Sequence, residues 1–327
     1  MWKIKDIEIK SHVVLAPMAG VTFLSYREFM KDFGVGLTVT EMVSDHGLTY
    51  NNKMTLDYLK TSEKDRPVSI QLFGNDADTI CAAIDIVNKE NPNYDFIDIN
   101  LGCPVPKVTK TGAGSSLLKD TEKLEKFMKQ IVEHSTKPVT AKIRLGYSET
   151  SINFLENIKA LERAGVSMIA LHVRTATQCY SGKARYELAK DLGLSMSVPL
   201  VISGDIFSLD DAIEAMEITK ATAVMVARGG VGNPYLVTQI NHYLETKEKL
   251  PNPSIQQNIE YLKKLTLMMI EEKGEQRAIM ILRGVASRFF NGYPNTKKIK
   301  CEIATSITTK EQLFSILDKY LSELEQE

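Results

Sequence analysis

The sequence has no apolar stretch approaching the roughly 20 residues that a membrane-spanning helix needs, which argues against an integral helical membrane protein. Its opening, Met1-Trp2-Lys3-Ile4-Lys5-Asp6, interleaves charges with apolar residues and lacks the hydrophobic centre of a secretion signal. A soluble, cytoplasmic protein with no membrane association is expected. Cysteine is sparse: Cys81, Cys103, Cys179 and Cys301 lie far apart and form no paired spacing of the zinc or thioredoxin type. No metal site is expected, and free thiols in a reducing compartment are the simplest account. An excess of positive charge is missing too, with 40 Lys and Arg against 41 Asp and Glu and a net charge of -1. A generic nucleic-acid binder usually carries a basic surface, so any such role must rest on a local patch. There is no low-complexity tract and no short-period repeat. What is present is a chain of 327 residues, 43% hydrophobic and 25% charged, long enough to bury the core of one large domain and a small one.

Apolar, β-branched runs alternate with segments of helical period. The runs are Val13 to Pro17, Leu37 to Glu41, Val68 to Phe73, Phe96 to Leu101, Val139 to Leu145, Ser167 to Val173, Leu200 to Ser203 and Ala223 to Ala227. Several are nearly continuous rather than alternating, as strands of a parallel sheet covered by helices should be. Between them lie amphipathic stretches such as Ala77 to Lys89, Thr121 to Glu133, Ser151 to Ala164 and Leu209 to Met216. Asp76, Asp120, Ser151 and Ser208 are suited to open those helices. Eight such alternations, closed by a helix from Asn233 to Lys247, predict an α/β fold of the (β/α)8 TIM-barrel type rather than an open sheet. Trp2 to Lys10 reads as a hairpin ahead of the first barrel strand.

At Leu250-Pro251-Asn252-Pro253-Ser254 the pattern breaks, because two prolines in three residues interrupt a helix. Beyond it, Ile255 to Lys273, Gln276 to Phe290 and Lys310 to Leu324 read as helices without further strand signal. The expected organisation is a barrel over residues 1–250 and a small all-helical domain over 251–327.

Barrel active sites gather at the carboxyl ends of the strands. Residues two apart share a strand face, so Asp98 with Asn100, Lys142 with Arg144, and His172 with Arg174 point together. With Gln71, they bring polar groups to one barrel mouth, and buried polar groups without partners imply a polar ligand. Lys142, inside the apolar run Val139 to Ile143, is the most telling: it needs an anionic partner, either a neighbouring carboxylate or an electron-rich cofactor. Ser203-Gly204-Asp205 and Ala227-Arg228-Gly229-Gly230 follow the seventh and eighth runs. Glycines that admit close backbone approach, a helix start and an arginine suit a phosphate there. Cys103, in Asn100-Leu101-Gly102-Cys103-Pro104, follows a strand on a turn shaped by glycine and proline and is placed over the mouth. Cys81 and Cys301 read as structural, and Cys179, on a loop, is open to either reading.

Five motifs, in this order, resemble the tRNA-dihydrouridine synthase family. They are Ala16-Pro17-Met18-Ala19-Gly20-Val21-Thr22, Ser69-Ile70-Gln71-Leu72-Phe73-Gly74, Asp98-Ile99-Asn100-Leu101-Gly102-Cys103-Pro104, Lys142-Ile143-Arg144-Leu145-Gly146 and His172-Val173-Arg174-Thr175. The likeness extends through Gly182-Lys183-Ala184 and Gly204-Asp205-Ile206 into the helical part, and is nearest to the bacterial DusB-type subfamily. It implies FMN as cofactor, NADPH (or NADH) as reductant and uridine within tRNA as substrate, saturated at C5–C6 by a hydride from flavin N5 to C6. Pro17, Met18 and Ala19 would line the flavin, Gln71 its ring edge and Lys142 its N1/O2 edge. His172 would help hold it, while Ser203, Gly204, Asp205, Ala227 and Arg228 would surround its phosphate. Cys103 would supply the proton to C5 as the catalytic acid, and Asn100, Arg144 and Arg174 would contact substrate. No obligatory protein partner is implied.

Between Lys263 and Lys300 stand nine basic residues (Lys263, Lys264, Lys273, Arg277, Arg283, Arg288, Lys297, Lys298, Lys300) against three acids (Glu271, Glu272, Glu275), a candidate RNA-gripping surface. The sequence departs from the family where Ser203 replaces a common asparagine and Ala227 a common glycine. Arg283-Gly284-Val285 also lacks the Lys-His pair often found there. Two other readings compete: an FMN barrel reducing a small molecule of the dihydroorotate or enoate type, and a flavin-free tRNA-binding protein.

Overall fold

In the computed structural model, which describes residues 1–50 and 52–324, the chain opens with an antiparallel hairpin of β1 (Trp2–Ile4) and β2 (Ile7–Ile9). The barrel follows: β3 (Val13–Leu15), β4 (Leu37–Val39), β5 (Val43–Ser44), β6 (Val68–Phe73), β7 (Phe96–Asn100), β8 (Val139–Arg144), β9 (Ile169–His172), β10 (Leu200–Ser203) and β11 (Ala223–Val226). All pairs are parallel, and β11 returns to β3, with Val224 opposite Val13, so the sheet closes. The eight predicted staves are all present. The second is split, with β4 and β5 both lying along β6. Between them the Thr40 hydroxyl accepts from the Gln71 amide at 3.1 Å.

The period of two sorts side chains between two cores. Outward residues such as Val13, Ile70, Ile97, Ile143 and Ile202 pack under the helices. Inward residues Val14, Leu37, Phe96, Ala170, Val201 and Ala223 form a second cluster with Trp2, Ile4 and Ile9. The hairpin is therefore a plug for the amino-terminal end of the barrel. Along several staves the inward series then turns polar toward the other end: Ser69 and Gln71, Asp98 and Asn100, Thr140, Lys142 and Arg144, Ala170 then His172. The apolar floor and polar mouth are written into single strands, and this places the site.

The helices run close to expectation. Asp76, Asp120 and Ser208 cap their helices by accepting from the backbone amides of Thr79, Lys123 and Asp211. Ser151 does not cap: its hydroxyl turns to Ser148, and the helix begins at Phe154. Beyond Ser254, helices Ile255–Lys273 and Lys310–Leu324 match the reading, the expected helix Gln276 to Phe290 is an α-helix over Glu275–Val285 that tightens to a 3-10 turn over Ala286–Phe290, and no strand occurs among the described residues there. An additional helix, Lys297–Ser306, escaped it because only Ile299 and Ile303 bury an apolar face. The last three residues of the span 251–327 lie outside the described residues. No helix among the described residues is long and apolar enough to cross a membrane.

Among the contacts that join the helical part to the segment after β3, two lie at the start of the helix Leu24–Lys31. Glu272 accepts from the Ser25 amide at 2.8 Å, and the Lys273 ammonium lies 4.6 Å from the Phe23 ring. The same region is fixed by a fully buried ion pair, Arg27 to Asp65 at 2.8 Å, with Thr38 donating to Asp65 at 2.6 Å and Arg27 donating to the carbonyls of Thr22 and Lys60. Asp65→Ala is expected to lower the unfolding free energy by about 3–5 kcal/mol, because it strands a buried guanidinium; chemical denaturation measures it.

Candidate active site

At the carboxyl ends of the strands lies a cleft of about 1070 Å³, counting its open mouth. Pro17, Met18, Ala19, Gln71, Asn100, Cys103, Lys142, Arg144, His172 and Arg228 line it. It runs into a recess of about 580 Å³ that shares Pro17, Met18, Lys142, His172 and Arg228 and adds Ser203, Gly204, Asp205 and Ala227. The structure thus brings together every predicted site residue except Arg174.

Arg174 is buried and turned inward. It pairs with Asp205 and donates to the carbonyls of Ser181 and Gly182. The sharing of a face that period two predicts for His172 and Arg174 fails because β9 ends at His172: the Arg174 amide folds back onto the His172 carbonyl at 2.8 Å, and the chain leaves the strand. One side-chain contact survives, Arg174 Nη1 to His172 Nε2 at 3.4 Å. Arginine only donates, so Nε2 accepts. Burial, followed by the charges of Lys142, Arg144, Arg174 and Arg228, pushes the His172 pKa well below the usual range, so the ring is neutral with its proton on Nδ1.

Lys142 forms no side-chain hydrogen bond or ion pair among the described residues and faces both cleft and recess. Burial and the nearby Arg144 lower its pKa to about 8, against the opposing pull of Asp98. A half-buried, unpartnered cation among other cations is a place for an anion. Arg144 lines the cleft but spends its donors on the carbonyls of Gly102, Thr175 and Cys179, at 2.8 to 2.9 Å. It ties the Cys103 loop to the loop carrying Cys179. Asn100 likewise caps the first loop, accepting from the amides of Gly102 and Cys103 at 3.1 and 2.9 Å. From the far side Ser115 donates to the Cys103 carbonyl.

The Cys103 thiol is half-buried, and burial raises its pKa against the pull of the Val105 amide, Arg144 and Lys142. Such a thiol keeps its proton at neutral pH.

The recess has the form of a phosphate cradle. A Cβ on Gly229 would fall 1.9 Å from the Ile206 carbonyl oxygen, so only glycine lets the loops after β10 and β11 approach this closely. Gly204 has a φ of 129°, in the region that favours glycine. Arg228 stands over the recess with its guanidinium 4.7 Å from the Tyr180 ring and 5.4 Å from the Phe207 ring, and 3.6 Å from Asp205. Burial works against the Asp205 carboxylate, but Arg174 and the Ala184 amide outweigh it and lower its pKa.

Several lining residues were not anticipated. Met42 comes from the break in the second stave, and Tyr180 sits beside the exposed Cys179, which adopts a φ of 50° at a turn. The loop Gln178 to Gly182 carried a turn signal but nothing that placed its tyrosine over the cleft. Arg288, counted only as part of the basic stretch, also lines the cleft and forms no ion pair or side-chain hydrogen bond among the described residues. Of that stretch, Lys263, Lys264 and Lys273 are already paired with Asp318, Asp32 and Glu272, and Arg283 donates to the Ile307 carbonyl. The free basic surface is narrower than the sequence count suggested.

The chain resembles known proteins along most of its length. The family model described as dihydrouridine synthase matches residues 14–325. The chain is 34% identical over 301 residues to a probable tRNA-dihydrouridine synthase of Rickettsia bellii, covering 92% of each. It is 34% identical over 307 residues to a probable tRNA-dihydrouridine synthase of Aquifex aeolicus, covering 92% of this chain and 94% of that one. To tRNA-dihydrouridine synthase B of Pseudomonas aeruginosa it is 30% identical over 318 residues, covering 96% and 94%. Among solved structures, histamine dehydrogenase from Rhizobium sp. 4-9 superposes with a TM-score of 0.55 at 14% identity, over 82% of this chain and 50% of that one. A 6-hydroxypseudooxynicotine amine oxidase from Pseudomonas geniculata does so at 0.57 and 11%, over 75% and 49%. At those identities the likeness is one of fold.

Proposed function

The chain belongs to the dihydrouridine synthase family, and from that premise we propose that it reduces the C5–C6 double bond of uridine in tRNA, using FMN with NADPH as reductant. The observation that carries this reading is the pairing, in one cleft, of a protonated thiol on the Cys103 loop with an unpartnered ammonium at Lys142. FMN fits the residues present. The Gly204 and Gly229 loops with Arg228 would hold its phosphate, Pro17, Met18 and Ala19 would lie along its ring, and Gln71 and Lys142 would meet its polar edge. Bound there and reduced by NADPH, it would supply the hydride for C6 of the base.

The chain's own residues do the rest. Cys103 gives its proton to C5. Lys142 would hold positive charge beside the cofactor, and His172, neutral, would offer a hydrogen bond without adding charge. Asn100 and Arg144 act mainly by holding the thiol loop, and Arg174 fixes Asp205 at the recess that would hold the phosphate. A base within folded RNA must be extruded to reach this depth. The helical segment 251–327 would grip the RNA, and Arg288, which reaches the cleft wall, joins that grip to the chemistry and favours RNA over a small substrate. The test is to map dihydrouridine in tRNA from cells with and without this protein. Loss at defined positions, restored by the purified protein with NADPH, is expected; identical maps would refute the activity.

A further inference from the structure

Asp98 faces into the barrel beneath the cleft and is 3% exposed. Its carboxylate accepts from Gln71 Nε2 and from Thr140 Oγ1, each at 2.6 Å. A carboxylate only accepts, so Gln71 must turn its amide nitrogen toward Asp98 and its carbonyl oxygen away. That oxygen accepts from Asn100 Nδ2 at 2.8 Å. Asn100 is thereby oriented in turn, with Oδ1 facing the loop, where it receives the amides of Gly102 and Cys103. Gln71 and Asn100 each have one donating and one accepting end, so the carboxylate at one end and the two loop amides at the other both require this direction.

We infer that Asp98 is a positioning residue for the Cys103 loop, acting through Gln71 and Asn100. Its catalytic consequence rests on the role given to Cys103 above; the order of the hydrogen bonds does not. Without an acceptor at Asp98, Gln71 is held in its orientation by Asn100 alone. A reversed Gln71 sets Nε2 against Asn100 Nδ2, Asn100 turns to escape, and two loop amides lose their acceptor. The thiol then has no fixed place. Thr140 supports the arrangement by directing its hydroxyl to the other carboxylate oxygen.

The four free cysteines provide the assay, with iodoacetamide labelling of the full-length protein followed residue by residue by peptide mass spectrometry. Cys103 reports the loop, the exposed Cys179 and Cys301 are references, and the buried Cys81 reports loss of the fold. In Asp98→Ala the labelling of Cys103 should rise about tenfold, and in Thr140→Val roughly threefold, while the other three rates hold, as expected for losing hydrogen bonds local to one loop. Asp98→Asn can give its carbonyl to Gln71 and its amide to Thr140, and should restore the wild-type rate. Thr140→Val is nearly isosteric and carries the test should the alanine variant not fold. Unchanged Cys103 labelling in the folded variants, or a rise shared by Cys81, would overturn the inference. Neither flavin nor RNA enters the assay, so its failure is separable from failure of the proposed activity.

Discussion

Cys103→Ala is expected to bind FMN and to be reduced by NADPH at close to the wild-type rate, while dihydrouridine formation falls roughly 10²–10⁴-fold, the usual cost of losing a general acid. The two halves would separate because, in the proposed reaction, the thiol meets the substrate base and not the cofactor phosphate. Cys103 lines the cleft but not the recess formed by Ser203, Gly204, Asp205 and Arg228. A thiol whose pKa is raised by burial is protonated at neutral pH, so the loss is that of a proton donor. Stopped-flow bleaching of the flavin by NADPH without RNA, followed by its reoxidation with unmodified tRNA, measures each half alone. Fast reoxidation in the alanine variant would remove Cys103 from the chemistry.

Lys142→Met should fail in the other half. The ammonium forms no ion pair or side-chain hydrogen bond among the described residues, and in the proposed reaction its charge would stand by a reduced, electron-rich cofactor. Removing it is expected to slow reduction by NADPH roughly 10²–10³-fold, the scale seen when one preorganised electrostatic contact is lost. Its pH behaviour distinguishes it from a packing residue. In the free protein Lys142 titrates near pH 8, and an anionic ligand beside it raises that value. FMN affinity should therefore be flat below about pH 8 and fall as the pH rises through the free-protein value, because binding must then take up a proton. In Lys142→Met the fall should vanish. Fluorescence titration of FMN across this range measures it, and an equal slope in both proteins would exclude the charge as its cause.

Much of this site was legible because a barrel strand keeps strict time. Lys142 and Arg144 share the inward face of β8, and Asp98 and Asn100 that of β7, so period two and apolar context sufficed to find them, while Thr140 on the same face of β8 drew no notice. The rule holds only while the strand lasts. Arg174 lies two residues beyond His172 in sequence, but the chain has already turned, and it serves Asp205 and two carbonyls in place of the cleft. Arg144 and Asn100 lie at the mouth as expected, yet Arg144 is spent on loop carbonyls and Asn100 on two loop amides and Gln71, partners that no spacing reveals. Tyr180, Met42 and Arg288 reach the cleft by loop geometry and by long-range packing of the helical segment, neither of which leaves a local pattern. Ser151 shows the limit at a helix start, where its hydroxyl had a nearer partner in Ser148.

The most direct test is a single turnover without oxygen: protein loaded with FMN, reduced by one equivalent of NADPH, then mixed with excess unmodified tRNA. One dihydrouridine should form for each flavin reoxidised, both appearing at the same rate. Protein that takes up no FMN, or flavin that stays reduced in the presence of tRNA, would contradict the assignment of this cleft.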